Sequence, residues 1–458
     1  MEDMKNGKRS SFSGKLGYVL AAAGASVGLG NIWRFPYLAA KYGGGIFLII
    51  YIVLALTFGY TMIVAETAIG RMTRKSPVGA FKSFGKKKWL SFGGWINAVI
   101  PVLIVPYYSV IGGWVIKYLV EYFRGNAKLL AEDGYFTDFI SNGVSTELCF
   151  MAFCAFTLII IFAGVQNGIE RVSKIMMPIL IVLSVIIAVY SVTRPGALAG
   201  VKYFLVPNVK NFSWMTVVSA MGQMFYSLSI AMGILITFGS YMKKDTAIED
   251  STRNVEVFDT GIAIMAGLMI IPAVFAFSGG DPDTLQAGPS LMFITIPKVF
   301  QNMGFGTVIG IVFFMLVLFA AVTSSIALTE SAVSTFEDEL GWGRKKATVL
   351  VGVIMLALGS LSSLGYGPLA GIKIIGMQFL DLFDFLTNSV MMPIAALLTS
   401  LFVSRVVGID KIEEEIIHGE SAFRRKKVFV VMIKYLCPVF AIIILLSSVA
   451  NALGWIKM

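Results

Sequence analysis

Eleven apolar runs, each long enough to cross a lipid bilayer, extend from one end of this sequence to the other. A membrane-spanning helix needs about 20 apolar residues. The predicted runs are 14–40, 44–71, 90–122, 147–164, 172–192, 213–241, 254–278, 305–337, 347–364, 372–404 and 428–450. Only 14% of the residues are charged, whereas a soluble domain has about 25%. We therefore expect an all-α polytopic membrane protein that forms one transmembrane unit over residues 1–458.

The positive charge of the chain is distributed in a way that predicts its topology. The net charge is +10, and the basic residues lie in short loops between the apolar runs. This pattern is typical of topology signals and not of a nucleic-acid-binding stripe, so no nucleic-acid partner is expected. It predicts a cytoplasmic N-terminus (1–13), an outside C-terminal tail (451–458) and an amphipathic cytoplasmic segment at 405–427. The expected location is the inner (plasma) membrane; the sequence leaves the oligomeric state open.

Helix-breaking residues interrupt two of the runs near their middle. The first run contains Gly24, Gly28, Gly30 and Asn31, all poor helix formers. An opened helix exposes backbone groups, and each unpaired group in lipid costs several kcal/mol, so an ion and a zwitterion are candidate partners. Taken alone, the glycines also fit close packing between helices.

The sixth run has a matching interruption between Ser227 and Gly233. The two interruptions lie five runs apart, in runs 1 and 6, and an odd offset reverses the direction of a helix in the membrane. Paired interrupted helices in corresponding halves indicate a transporter binding site. We therefore predict a 5+5 inverted repeat, 14–192 and 213–404, with broken helices 1 and 6 and an eleventh helix at 428–450.

Several motifs resemble the neurotransmitter:sodium symporter family. The first-helix motif Val27–Pro36, VGLGNIWRFP, is the most specific of them. The others are the turn 41–47, Glu66, Tyr107-Tyr108, Gly168–Arg171, Ser227–Ser229 and Thr323–Ser325. The resemblance covers essentially the whole chain, and eleven helices resemble the bacterial amino-acid branch. It implies a non-enzymatic symporter that uses sodium to import a small neutral, mostly apolar amino acid by alternating access.

The resemblance implies two sodium sites. At the second site the ligands would be the carbonyls of Gly24, Val27 and Ala320 and the hydroxyls of Thr323 and Ser324. At the first site they would be the Ser26 carbonyl, the side chains of Asn31, Ser227 and Asp259, and the substrate carboxylate. A carboxylate shared between substrate and ion couples their binding, as symport requires.

The same resemblance implies a substrate site at the two interruptions. The amides of Leu29 and Gly30 and the Tyr108 hydroxyl would hold the carboxylate, where an opened helix presents its positive end. Carbonyls near Tyr226 and Ser229 would hold the ammonium group. The full expected set is Ser26, Gly28, Leu29, Gly30, Ile104, Tyr108, Tyr226, Ser227, Ser229, Met232, Ser324 and Leu328.

Two departures from family patterns narrow the expected function. Family members that carry monoamines have Asp at the position of Gly28, so an amino acid is favoured over an amine. Chloride-dependent members have Asn and a nearby Ser where this chain has Asp259 and Ala263. A carboxylate beside sodium would replace the chloride charge, so chloride-independent transport is expected. A one-residue slip of the alignment would place Phe258 there instead.

The resemblance also implies gates. Arg34 and Asp384 would close the outside, with Tyr226 as a lid; Arg9 and Asp338 would close the inside, with Phe12 and Tyr241 nearby. Apart from the resemblance, the outside loop 279–304 is expected to contain a short re-entrant or capping helix, around Leu291, Met292, Phe293 and Ile296. The alternatives are a channel, for which no ring of charges is found, a membrane-embedded enzyme, and a transporter-like sensor that binds an amino acid without moving it.

Overall fold

The computed structural model describes residues 9–279, 288–452 and 454–455, and all regular secondary structure in these residues is helical. Nine helices there are long and apolar enough to cross a membrane. Numbered by the predicted runs, they are span 2 (Gly45–Thr73), span 3 (Lys88–Phe123), span 4 (Gly143–Phe162), span 5 (Val165–Val192), span 7 (Ile248–Ser278), span 8 (Gly306–Leu340), span 9 (Arg344–Leu364), span 10 (Phe379–Val407) and span 11 (Lys426–Asn451). The all-helical membrane fold is confirmed.

Span 1 consists of two helices, a first half (Lys15–Ser26) and a second half (Gly30–Lys41), bent by 54° at the break. This bent pair is the tenth candidate crossing among the described residues. Span 6 also consists of a first half (Trp214–Ser227) and a second half (Ile234–Ser240). Each half of span 6 is too short to cross alone, so the count of eleven crossings stays a prediction.

The break in span 6 has an unusual backbone. Ser229, Ala231 and Gly233 have φ values of 52°, 58° and 70°, in the left-handed region that residues with a Cβ rarely adopt. The expectation that helices 1 and 6 are interrupted is therefore confirmed. The inverted symmetry of the two halves of the chain stays a prediction.

Glycines bring span 2 and the second half of span 6 into backbone contact. A Cβ added at Gly70 would lie 2.0 Å from the Ile236 carbonyl oxygen, and one at Gly239 would lie 2.4 Å from the Thr67 carbonyl oxygen. Small residues at such crossings let membrane helices pack closely. The second half of span 6 is thereby fixed against span 2, beside the break.

Some boundaries differ from the sequence prediction. Span 10 was expected to begin at 372, but residues 365–377 form turns in which Ile375 has a φ of 53°. Span 10 also continues to Val407, so only Ile409–Ile417 of the segment 405–427 is a surface helix. The amphipathic prediction was thus too long, because it was drawn from composition alone.

The short re-entrant or capping helix expected within 279–304 extends over Leu291–Asn302, as the consecutive elements Leu291–Thr295 and Ile296–Asn302. Leu291, Met292, Phe293 and Ile296 are all buried. Residues 280–287 of that segment, and most of the predicted tail 451–458, lie outside the described residues.

Candidate ion and substrate site

A cavity lies between the two interrupted spans and is closed on its other sides by spans 3 and 8. Its lining residues are Ala25, Ser26, Gly28, Leu29, Gly30, Asn31, Ile104, Tyr108, Tyr226, Ser229, Met232, Ser324 and Leu328. Every residue of the expected substrate set lines this cavity except Ser227, which lies behind it beside Asp259. Ala25 and Asn31 line it in addition.

The second half of span 1 directs its N-terminal end at this cavity. The Leu29 amide donates to the Tyr108 hydroxyl at 3.3 Å, and the Gly28 amide donates to Asn31 Oδ1 at 3.2 Å. A Cβ at Gly28 would lie 2.7 Å from Ser324 Oγ and 3.1 Å from the Tyr108 hydroxyl. Only glycine fits at this position, and the backbone donors of the break and the helix dipole favour an anionic group in the adjoining cavity.

Oxygens of spans 1 and 8 gather beside the break in span 1. Ser324 Oγ lies 3.3 Å from the Gly24 carbonyl oxygen and 3.4 Å from that of Val27, and Thr323 Oγ1 lies 3.2 Å from the Ala320 carbonyl oxygen. Oxygens at right angles around a cation with bonds of about 2.4 Å are about 3.4 Å apart. The separations from Ser324 to Gly24 and Val27, and from Thr323 to Ala320, are those of neighbouring oxygen ligands around a hard cation, so the five-oxygen sodium site stays a prediction.

A second polar cluster surrounds Asp259, whose side chain is 0% exposed. Asn31 Nδ2 donates to Asp259 Oδ1 at 2.8 Å, and Ser227 Oγ donates to the same oxygen at 2.9 Å. Ser26 lies nearby in the cavity wall. Phe258 is only partly buried. The register that puts Asp259 in the cluster is therefore the one the structure has.

The charge of Asp259 has no basic partner. Among the described residues, no Lys, Arg or His nitrogen lies within the 4.0 Å ion-pair limit of its carboxylate. A buried unpaired carboxylate is costly unless it is paired or binds a metal ion. No group of three or more Asp, Glu, His or Cys side chains suited to a metal occurs in the described residues. One carboxylate among neutral oxygens fits a monovalent cation.

Sequence reasoning missed Tyr51, on span 2. Its hydroxyl donates to Asp259 Oδ2 at 2.9 Å and lies 3.1 Å from Ser227 Oγ. A tyrosine in an apolar run gives no signal that separates a hydrogen-bonding role from packing. Asp259 accordingly accepts hydrogen bonds from three side chains, which fix both of its oxygens.

Glu66 supports the break in span 6. It is fully buried, and its Oε1 accepts the Ala231 amide at 2.7 Å. Ser229 Oγ in the same break donates to the Ala25 carbonyl at 2.9 Å, so the two breaks contact each other directly. The sequence motif had marked Glu66 without assigning it a role.

We call the end of the bundle that carries residues 9–14 the inner side, and it is closed. Arg9 pairs with Asp338, and its Nε donates to Ser240 Oγ at 3.1 Å. Phe12 is buried and donates its amide to the Tyr241 carbonyl at 3.0 Å. Burial lowers the pKa of Arg9, but Tyr241 and Asp338 more than offset this and raise it, so Arg9 keeps its charge. The expected inner-gate residues therefore meet.

The residues expected at the outer gate are arranged differently. Arg34 and Asp384 line one cavity beyond Tyr226, but their charged atoms do not come within 4.0 Å of each other. Asp384 accepts from Asn388 Nδ2 at 2.6 Å instead, and the Arg34 guanidinium lies 5.4 Å from the centre of the Tyr226 ring. The expected outer ion pair is thus not formed. Asp384 is hydrogen-bonded to Asn388, and Arg34 lies over the ring of Tyr226 instead.

A sequence model of the Sodium:neurotransmitter symporter family matches residues 9–130 and 136–454. The uncharacterized sodium-dependent transporter YhdH of Bacillus subtilis (strain 168) is 34% identical over 450 residues, 97% of this chain and 99% of that protein. The sodium- and chloride-dependent GABA transporter 2 of Homo sapiens is 26% identical over 474 residues, 89% of this chain and 75% of that protein.

Among solved structures, the crystal structure of MhsT in complex with L-phenylalanine is similar to this chain along its whole length. The TM-score is 0.86 and the sequence identity 35%, with coverage of 96% of this chain and 100% of MhsT. The fold of this chain is therefore similar to one that has been solved with an amino acid bound.

Proposed function

The chain belongs to the sodium:neurotransmitter symporter family, and on that premise we propose that it imports a neutral, mostly apolar amino acid with two sodium ions and without chloride. The coarser part is established by the family: this is a membrane-embedded, sodium-dependent symporter and not an enzyme. The observation that carries the finer proposal is the cavity between the two breaks, with an unpaired buried carboxylate beside it.

The substrate would bind by its two charged groups. Its carboxylate would meet the amides of Leu29 and Gly30 and the Tyr108 hydroxyl, at the positive end of a helix. Its ammonium group would meet backbone carbonyls in the break of span 6, near Tyr226 and Ser229. The absence of a side chain at Gly28 lets Ser324 and Tyr108 approach the backbone of the break, beside the proposed position of the carboxylate.

The remaining cavity wall favours an apolar side chain. It consists mainly of Ile104, Met232 and Leu328, which carry no charge, and Met adapts easily to different shapes. The complex of MhsT with L-phenylalanine supports this class of substrate. Amino acids of the size of leucine, methionine, valine, tyrosine or phenylalanine are the proposed substrates.

One sodium ion would occupy the second site, on the carbonyls of Gly24, Val27 and Ala320 and the hydroxyls of Thr323 and Ser324. The other would occupy the first site, on the Ser26 carbonyl, Asn31, Ser227, Asp259 and the substrate carboxylate. Because that carboxylate is shared, each ligand would raise the affinity for the other.

Chloride would be unnecessary because Asp259 supplies a fixed negative charge. The human GABA transporter 2, a relative at 26% identity, is named for both sodium and chloride. In this chain the carboxylate of Asp259 is buried without a basic partner, which supports a cation as its counter-charge. We further propose the plasma membrane as the location, with a cytoplasmic N-terminus and an outside C-terminus.

The test is uptake of radiolabelled L-phenylalanine and L-leucine into proteoliposomes that contain the full chain. An inward sodium gradient should drive concentrative uptake, which should be lost with potassium in place of sodium and unchanged with gluconate in place of chloride. Binding without concentrative uptake would contradict symport and favour a sensor, and a chloride requirement would contradict the role of Asp259.

The Asp259→Asn variant tests directly whether the charge of Asp259 makes chloride unnecessary. It should raise the sodium concentration for half-maximal uptake at least about ten-fold, since ten-fold is about 1.4 kcal/mol and a lost buried charge exceeds that. Asp250→Asn, at an exposed position on the same span, is the matched control and should behave as the parent does. Full chloride-free uptake by Asp259→Asn would refute the proposal.

A further inference from the structure

A buried carboxylate outside the ion and substrate site contacts the start of span 1. Glu170, at the inner end of span 5, is 2% exposed. Its Oε2 accepts the Ser13 amide at 2.8 Å, and its Oε1 accepts the Ser13 hydroxyl and lies 2.6 Å from Lys174 Nζ. One turn earlier, Gln166 Nε2 donates to the Ser11 carbonyl at 2.6 Å. Span 5 thus holds the residues that lead into span 1 at two points.

The first half of span 1 is shaped to receive this carboxylate. A Cβ at Gly17 would lie 2.4 Å from Glu170 Cδ, so only glycine permits the contact. The helix begins after Gly14, which offers no side-chain cap. A carboxylate beside an uncapped helix N-terminus is stabilised by the helix dipole and by the free backbone amides.

The same part of span 5 borders the proposed second sodium site. Met177 lies two turns after Glu170, and its sulfur would be 3.5 Å from a Cβ placed at Gly24, whose carbonyl is a proposed sodium ligand. Span 5 opens with a π-helical turn, Val165–Glu170, and contains Pro178. Such turns are marginally stable and often occur at functional positions, and proline removes a backbone hydrogen bond. A shift of this segment would move the sodium site wall and Glu170 together.

We propose that Glu170 is a positioning residue that latches the first half of span 1 to span 5 and keeps the inner side closed while sodium is bound. The inference rests on the sodium-coupled function proposed above. Alternating access requires the inner side to open, and the first half of span 1 lies between the cavity and that side. Release of the Glu170 contacts would loosen its leading end, where Lys243 also binds the Ser13 carbonyl and Asp250 pairs with Lys15 near the surface.

The test measures the opening of the inner side directly. Ala22 lies one turn before Ser26 on the same face of span 1 and is 0% exposed. In the full chain, with Cys149, Cys154 and Cys437 replaced by alanine, Ala22→Cys is labelled by a hydrophilic maleimide with and without sodium. Sodium should slow labelling in this parent. In sodium, the additional change Glu170→Gln should speed labelling about ten-fold, because the latched population falls.

Matched variants separate a latch from a general loss of stability. Glu413→Gln breaks a partly exposed pair with Lys426, between two segments that do not include span 1, and should change the rate less than about two-fold. Gly17→Ala should speed labelling when Glu170 is present, and should add nothing in a Glu170→Ala chain, where the clash is gone. Equal rates for Glu170→Gln and Glu413→Gln would overturn the latch, whereas a parent insensitive to sodium would overturn the proposed function.

Discussion

The breaks in spans 1 and 6 both leave backbone groups unpaired inside the bundle, but different partners satisfy them. At the break in span 1, carbonyls meet the neutral hydroxyls of Ser324 and Ser229, and the Gly28 amide meets Asn31. At the break in span 6, the Ala231 amide meets the buried carboxylate of Glu66, which does not line the cavity.

This difference indicates that the break in span 1 is a binding element and that the break in span 6 is a supporting one. Neutral hydroxyl contacts of 3.2–3.4 Å are weak, so an ion can replace them without leaving a charge unpaired. The bond from the Ala231 amide to Glu66, at 2.7 Å, is shorter and holds the backbone of the second break in one shape. We therefore expect changes at the first break to affect ligand affinity, and changes at the second break to affect stability as well.

The largest expected effect comes from Gly28→Asp, at the first break. The new side chain would overlap Ser324 Oγ and Tyr108 and would place a negative charge where the substrate carboxylate binds. Binding of L-phenylalanine should weaken by at least about 100-fold, or about 2.7 kcal/mol. Gly261→Ala, at a glycine with no atom within 4 Å of its added Cβ, is the control. If a binding titration gave both variants comparable affinities for L-phenylalanine, the first break would not be the binding element.

Glu66→Ala should have the next largest effect, on stability as well as binding. It leaves the Ala231 amide buried without an acceptor, which costs about 1–3 kcal/mol. Thermal unfolding of the purified protein should shift to a clearly lower midpoint. Glu147→Ala removes a half-buried carboxylate whose partner, the Ser360 hydroxyl, can rotate to another acceptor, so its shift should be smaller. Identical shifts would show that Glu66 has no special supporting role.

Thr323→Val should reduce sodium affinity with little loss of stability. Valine has the same shape as threonine, and only one uncharged ligand oxygen is lost. The sodium concentration for half-maximal uptake should therefore rise about five-fold, which corresponds to about 1 kcal/mol of binding free energy. Thr329→Val, on the same span and with the same kind of bond to its own helix, should leave the half-saturation unchanged. An unchanged half-saturation for Thr323→Val would remove Thr323 from the second sodium site.

The smallest expected effect is a gain of stability from Ala231→Gly. Ala231 has a φ of 58°, which costs a residue with a Cβ about 1–2 kcal/mol, and the greater entropy of unfolded glycine cancels part of the relief. The midpoint of thermal unfolding should rise slightly. Ala220→Gly, in the regular first half of span 6, should lower it. A fall in both variants would show that the left-handed backbone carries no strain.

How much the sequence revealed depended on the kind of residue. Both breaks were predictable from the segments Gly24–Asn31 and Ser227–Gly233, because glycine, serine and asparagine are otherwise uncommon inside an apolar run. Tyr51 gave no signal, since its partners lie 176 and 208 positions away in the chain. The start of span 10 was also missed, because apolar residues such as Ile374 and Ile375 form a turn there that hydropathy does not distinguish from a helix.

The outer gate shows a second limit of sequence reasoning. Arg34 and Asp384 line one cavity, but the ion pair expected between them is not formed, since Asn388 and Tyr226 contact them separately. A pair of opposite charges indicates which groups are able to meet, whereas the conformation decides whether they do.

The most direct test of the account is equilibrium binding of radiolabelled L-phenylalanine to the purified full chain at increasing sodium concentrations. If the two breaks jointly hold sodium and a zwitterion, affinity for the amino acid will rise with sodium and saturate, and sodium affinity will rise equally with the amino acid. Equal affinity in sodium and in choline would contradict the shared site.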